Sequence, residues 1–402
     1  MVEQKQSRIY MDNAATSFPK PEEVYQAMFH YGRHIGASPG RGAYQESSLA
    51  GEMMWTCRER ICSLINGENP QNVIFTLNTT DALNLAIRGT VHPGDHVVTT
   101  WMDHNSILRP FNALVKEGVT QTRVPCDPVT GLVDPDDIAD AITGKTKLVA
   151  VIHGSNVTGT VQDIAEIGRI CRKNGVTFLV DAAQTLGHFP VDVQQMNIDL
   201  LAFPGHKGLL GPLGTGGLYI RPGLEETLAP AREGGTGSQS ESDIHPLTMP
   251  DKFEAGSHNM IGIVGLSEGV NFLLQRGPQA IFAHEKKLMQ VMLQGLKDCE
   301  PLRLLGIDNE DNRCNVYAVT LPGMTSGELS DLLEKEFGLL TRPGLHCAPL
   351  VHKTMGTHPD TGGSGATRFS FGPFTTTEDV QYAVDALKQI CQAHLPLAES
   401  HL

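Results

Sequence analysis

The chain reads as an α/β protein in which a large, doubly wound, mostly parallel sheet domain is joined to a smaller α+β domain. Three observations carry that expectation. Short β-branched runs alternate with helical stretches between about residues 70 and 220. Polar residues follow the ends of successive apolar runs, where sheets of this kind collect ligands. The length of 402 residues exceeds what one hydrophobic core usually supports.

Strands are expected at 73–76, 97–100, 148–152, 177–180 and 200–203, with a further hairpin-like strand at 217–220. Their near-continuous apolar character implies a sheet covered on both faces. The intervening helices are expected at 81–88, 106–117, 136–141 and 164–174. A Gly- and Ser-rich passage over 234–242, followed by prolines as far as Pro250, predicts a surface loop, because an apolar helical pattern resumes at Ile261. The remainder predicts two long amphipathic helices, a strand near 316–321 and helices at 326–337 and 377–394. The resulting division is a large domain over 15–258 and a small domain built from 1–14 and 259–402. No internal repeat or low-complexity tract interrupts it.

The formal charge of −14 and an isoelectric point near 5.6 disfavour nucleic acid and anionic membrane as partners, since both need a basic face. The first eight residues lack the apolar core of a signal sequence, and no run of about 18 apolar residues occurs, so a cytoplasmic protein is expected. Cysteines at 57, 62, 126, 171, 299, 314, 347 and 391 contain no C-x-x-C pair. They predict free thiols, with neither a disulfide framework nor a metal site.

The chemistry gathers at the strand ends. Asn78-Thr79-Thr80, Asp103-His104-Asn105, His153-Gly-Ser-Asn156, Asp181-Ala-Ala-Gln184 and His206-Lys207 each follow one apolar run. Helix capping explains any one of these clusters, but it explains five on one rim poorly. A strand ending in Asp181, followed by one ending in Lys207, suits pyridoxal phosphate: the amine condenses with the cofactor aldehyde and the carboxylate pairs with the pyridinium nitrogen. Gln184 is spaced to meet the ring hydroxyl, and His104 either lies flat on the ring or caps a helix. Thr79-Thr80 offer a helix N-terminus to the phosphate, with a plain threonine cap as the alternative. The glycines of 208–217 imply close backbone approach. Cys347, among Pro343, Gly344 and Pro349, reads as a thiol on an exposed loop, with His346 its neighbour in sequence as a possible base. Its spacing from His352 and His358 fits no common zinc module.

Taken together, Met11-Asp-Asn-Ala-Ala15, Thr79-Thr80, Asp103-His104, Ser155-Asn-Val-Thr-Gly159, Asp181-Ala-Ala-Gln184, Gly205-His-Lys207, Phe253-Glu-Ala-Gly256, Arg342-Pro-Gly-Leu-His-Cys347 and Thr367-Arg368 form one set spread over the chain. With it the sequence resembles the cysteine desulfurase and selenocysteine lyase family of fold-type I, class V aminotransferase-like proteins. The resemblance implies Lys207 as the Schiff-base lysine, Asp181 on the pyridine nitrogen, Gln184 on the ring hydroxyl and His104 stacked on the ring. It implies Thr80 and His206 on the phosphate, beside Thr79, and Ser257 reaching the phosphate of the other subunit of a homodimer. Asn156 and Arg368 would hold the substrate carboxylate, and Asn13 and Arg41 would line the substrate entrance. The implied reaction removes sulfur from L-cysteine, leaving L-alanine and a Cys347 persulfide for an acceptor protein. L-selenocysteine as substrate, another C–S lyase or aminotransferase reaction, and a silent sulfur-relay scaffold are the alternatives. Three residues depart from the family pattern: Pro204 replaces a common serine, Leu345 a histidine and His258 a proline.

Overall fold

The computed structural model describes residues 8–40 and 42–394, so Arg41 and the chain ends 1–7 and 395–402 lie outside the described residues. Its largest sheet has seven strands, in the order Val73–Thr76, Gly216–Ile220, Leu200–Pro204, Thr177–Asp181, Thr146–Ile152, His96–Thr100 and Thr120–Val124. Gly216–Ile220 runs antiparallel to both strands beside it, Val73–Thr76 and Leu200–Pro204, and the other pairings are parallel. The period-two alternation of strand side chains explains how both faces are buried. Val149 and Val151 pack with Ile61, Ile167 and Leu266 on one face. Leu148 and Ala150 pack with Leu83, Ile107 and Phe111 on the other.

Every strand expected in this sheet is present. The edge strand Thr120–Val124 was not anticipated, because Thr-Gln-Thr-Arg-Val is largely polar and only Val124 is buried. Helices Glu22–His30 and Gln45–Leu64 also escaped the pattern. The buried stripe of the second contains Ser47 and Arg58, which blur its apolar period.

A second, four-stranded antiparallel sheet runs Arg342–Gly344, Ala366–Ser370, Val316–Thr320, Arg303–Leu304. Helices Pro278–Leu296, Ser326–Phe337 and Thr377–His394 cover it through Leu288, Met292, Leu333, Val380 and Leu387. Helix Met260–Arg276, placed with the small domain in the sequence division, buries Ile263, Leu266 and Val270 in the core of the large sheet.

The N-terminal segment ties the two sheets together. Ser370 N donates to Met11 O at 2.7 Å, and Asn13 N donates back to Ser370 O at 3.3 Å. A few residues on, Ser17 N and Thr16 Oγ1 each donate to His206 O at 3.0 Å, gripping the peptide carbonyl just before Lys207.

Candidate active site

The parallel strands all end on one rim, and the register sets Ile152 beside Asp181 and Asp181 beside Ala202. One cavity on this rim is lined by Thr79, Thr80, His104, Asn156, Asp181, Gln184, His206 and Lys207. The strand-end residues expected to act together therefore do share one space.

Asp181 is 2% exposed and accepts a hydrogen bond from Ala183 N at 3.0 Å. Burial lifts its carboxyl to about 6, opposed by that bond and by the Lys207 charge. Burial, helped by the Arg368 charge, pushes Lys207 down to about 8, with Asp181 pulling the other way. Both shifts have one cause: low-dielectric surroundings disfavour an isolated charge. They leave Lys207 partly neutral near physiological pH, as a nucleophilic amine requires.

The helix Thr79–Thr90 differs in detail from the expectation. Asn78, not a threonine, is its cap, with Asn78 Oδ1 accepting from Asp81 N at 3.0 Å. Thr79 and Thr80 therefore occupy the first turn, whose amides lack intrahelical partners. Thr80 Oγ1 lies 2.8 Å from Ser106 Oγ. His206 is pushed down to about 4, by burial first and then by the Lys207 charge, so its ring is neutral. Its Nδ1 is buried without a hydrogen-bond partner.

His104 caps the helix Asn105–Val115, accepting from Ser106 N through Nδ1 at 3.1 Å. An accepting Nδ1 in a neutral ring puts the proton on Nε2. Burial followed by the Lys207 charge lowers this histidine to about 4. Capping and a role in the cavity are thus compatible. Gln184 Nε2 donates to Ala14 O at 3.1 Å, which leaves its Oε1 as an acceptor in the cavity.

Behind the lining residue Asn156, Arg368 Nη1 donates to Asn156 O at 3.1 Å and Nη2 meets Asp12 Oδ1 at 2.7 Å. Asn156 Nδ2 donates to His346 O at 2.6 Å. Arg368 Nε and Asn156 Oδ1 remain buried and unpartnered. Asn13 commits both ends of its amide to backbone: Nδ2 donates to Ser370 O and Oδ1 accepts from Phe18 N. It holds the N-terminal turn. Arg342, opposite Arg368 in the ladder, adds positive charge that lowers Lys207 and His104. Asp12, Arg342 and Ser106 were not singled out from sequence, although the first two stand inside motifs quoted above.

Cys347 is exposed, whereas Cys126 is half-buried and the other six cysteines are buried. Its carbonyl accepts from Asn105 N at 2.9 Å, which docks the loop beside His104. His346 does not serve as its base, because both ring nitrogens are engaged elsewhere, Nε2 on Arg342 O and Nδ1 on His352 Nε2. No group of three metal-ligating side chains occurs among the described residues. Ser257 lines a separate cavity with Thr76, Leu77, Thr215 and Arg232, so within one chain it is not part of the Lys207 cavity.

The orphaned buried atoms test whether pyridoxal phosphate fits. His206 Nδ1, beside a helix N-terminus, suits a phosphate oxygen, and Asp181 suits a pyridinium. Arg368 Nε and Asn156 Oδ1 suit the carboxylate and amino groups of an amino acid. The donor set matches the group at each end.

A family model described as aminotransferase class-V matches residues 9–383. A probable cysteine desulfurase of Methanothermobacter thermautotrophicus is 35% identical over 385 residues, covering 95% of this chain and 94% of that protein. Another from Pyrococcus abyssi is 34% identical, over 96% and 95% of the two chains. Among solved structures, the apo cysteine desulfurase of Thermococcus onnurineus superposes with a TM-score of 0.88 at 32% identity, covering 96% of this chain and 95% of that one. The Escherichia coli cysteine desulfurase CsdA, with an S-sulfonic acid, gives 0.82 at 27% identity, with the same coverage.

Proposed function

The chain belongs to the aminotransferase class-V family, among its cysteine desulfurases, and from that premise we propose that it removes sulfur from L-cysteine, giving L-alanine and a persulfide on Cys347. The observation that carries the reading is the exposed Cys347 loop, hydrogen-bonded to Asn105 and to Asn156, which itself lines the cavity that holds Lys207 and Asp181.

Pyridoxal phosphate, held by Lys207, Asp181, Gln184, His206 and the Thr79-Thr80 turn, would supply an electron sink for the substrate Cα. Arg368 would fix the substrate carboxylate and Asn156 Oδ1 the substrate nitrogen, orienting the Cα–H bond toward Lys207 Nζ, which would accept that proton. His104, neutral and protonated at Nε2, would be a hydrogen-bond donor within the cavity. Cys347 Sγ attacks the substrate sulfur; the C–S bond breaks, an S–S bond forms, and the carbon gains a proton to become the methyl group of alanine. Cysteine plus thiol gives alanine plus persulfide, and no external oxidant is needed.

Three further elements belong to the proposal. The division expected at residues 14/15 and 258/259, with helix Met260–Arg276 packed on the large sheet, would put Lys207 and Cys347 on different domains, with the substrate between them. A homodimer would bring Ser257 to the partner's phosphate site, and an acceptor protein would collect the persulfide sulfur. The free thiols support the reducing cytoplasm; no described helix is long and apolar enough to cross a membrane.

The decisive assay compares the protein with its Cys347→Ser variant, quantifying alanine and sulfide from L-cysteine with reductant present. Equimolar products from the parent, lost in the variant, are expected. Equal turnover in both would remove Cys347 from the reaction, and pyruvate in place of alanine would point to a lyase.

A further inference from the structure

Beneath the exposed thiol lies a buried chain of hydrogen bonds that the reaction, as derived above, does not use. His346 Nε2 is 2.9 Å from Arg342 O, His346 Nδ1 is 3.3 Å from His352 Nε2, and His352 Nδ1 is 2.7 Å from Thr357 Oγ1. A backbone carbonyl only accepts, so His346 Nε2 carries the proton. Burial, followed by the Arg368 charge, keeps His346 well below its ordinary range, and burial brings His352 to about 4, so both rings are neutral. His346 Nδ1 is then bare and accepts from His352 Nε2–H. His352 Nδ1 is bare in turn and accepts the Thr357 hydroxyl proton. One carbonyl thus fixes both tautomers and the direction of every bond in the chain.

The chain supports an unusual stretch of backbone. His346 and Cys347 both have left-handed φ, +51° and +58°, which residues with side chains rarely adopt even singly. Two further bonds hold the same turn from the site side, Asn156 Nδ2 to His346 O and Asn105 N to Cys347 O. His352 is wholly buried on the short helix Pro349–Thr354 and touches neither the cavity nor the thiol directly.

We propose that His352 is a positioning residue for sulfur transfer: through His346 it holds the left-handed turn that presents Cys347 Sγ to the substrate sulfur. The inference rests on the reading of Cys347 as the sulfur carrier. Glutamine can reproduce both bonds at this position, its amide N–H donating to His346 and its carbonyl accepting from Thr357, whereas leucine fills the space and makes neither.

The test measures alanine formation from L-cysteine and from L-selenocysteine in His352→Gln and His352→Leu. A selenol ionises and departs more readily, so selenium release depends less on a well-placed thiol. In His352→Leu, kcat for L-cysteine should fall about tenfold or more with KM nearly unchanged, while turnover of L-selenocysteine stays within about twofold. His352→Gln should remain close to the parent. Equal losses with both substrates, an unaffected leucine variant, or a glutamine variant as impaired as leucine would each overturn the proposal. Should His352→Leu not fold, Thr357→Val removes only the last hydroxyl, and the same selective loss, smaller in size, is expected; no loss refutes the relay. A parent protein that yields no alanine from L-cysteine would refute the desulfurase reading instead. In that event, iodoacetamide labelling of Cys347 still decides the positioning, because it needs no substrate. A rate changed about threefold or more in the leucine variant and unchanged in the glutamine variant would support it, and equal rates would overturn it.

Discussion

Arg368 is the residue whose environment most constrains its chemistry. It is 2% exposed, its two Nη atoms are occupied by Asp12 and the Asn156 carbonyl, and its Nε is left over. A guanidinium anchored at both Nη atoms aims its remaining Nε–H in a fixed direction, which an ammonium cannot imitate. Arg368→Lys should therefore raise KM for L-cysteine roughly tenfold, the equivalent of one charge-assisted hydrogen bond, with a smaller change in kcat. Steady-state alanine formation measures this, and an unchanged KM would move carboxylate binding elsewhere. At this scale the sequence was informative about which residues share the cavity, because Asp181, Gln184, His206 and Lys207 each stand after an apolar run on one rim. It was uninformative for residues whose partners only the folded backbone brings close. Lys20, whose Nζ donates to Ser17 O and Oγ and reaches the His206 carbonyl, and His352, which bonds the His346 and Thr357 side chains, belong to that class. Burial pushes the Lys20 ammonium down to about 8, a sign of its unusual setting that no local pattern announces.

Among the elements, the helix Thr79–Thr90 has two duties that meet at its first turn. Asn78 caps it, and the Asn78 carbonyl accepts from Ala82 N at 3.1 Å. Asn78→Ala removes the side-chain cap and should cost about 1 kcal/mol in urea-induced unfolding. It should also loosen the anion site, so that pyridoxal phosphate dialyses away faster from the variant than from the parent. Unchanged stability and unchanged retention would mean that the helix start is held by its packing alone. Helix and strand positions in the large sheet were legible because their apolar residues face two cores. The edge strand Thr120–Val124 was not, since half-exposed edges carry no such pattern.

Across the whole molecule, a buried polar network joins the loop after Gln184 to the small sheet. His188 Nδ1 meets Glu285 Oε1 at 2.6 Å, Asn315 Nδ2 reaches the Glu285 carbonyl, and Tyr317 donates to Asn315 Oδ1 at 2.9 Å. Burial alone would depress His188, but the Glu285 charge and hydrogen bond outweigh it and raise its pKa above 6.5. A histidine raised in the folded state contributes stability that is fully present below its unfolded value and is lost as pH rises through its folded value. The stability difference between the parent and His188→Gln, from urea titrations, should therefore be largest below about pH 6 and shrink on the alkaline side of 6.5. A pH-independent difference would mean that His188 is neutral in its pair. The same long reach has a consequence for biogenesis. Met11 and Asp12 find their partners at Ser370 and Arg368, more than 350 residues later in the chain. A nascent polypeptide that has emerged only through the large sheet already carries Lys207 and Asp181, and Thr16 and Ser17 can meet the His206 carbonyl, but Met11 and Asp12 have nothing to clasp. Lys207 is made early and Arg368 arrives near the end of synthesis, so, on the proposed roles, an arrested chain would carry the amine without the arginine proposed to hold the substrate carboxylate.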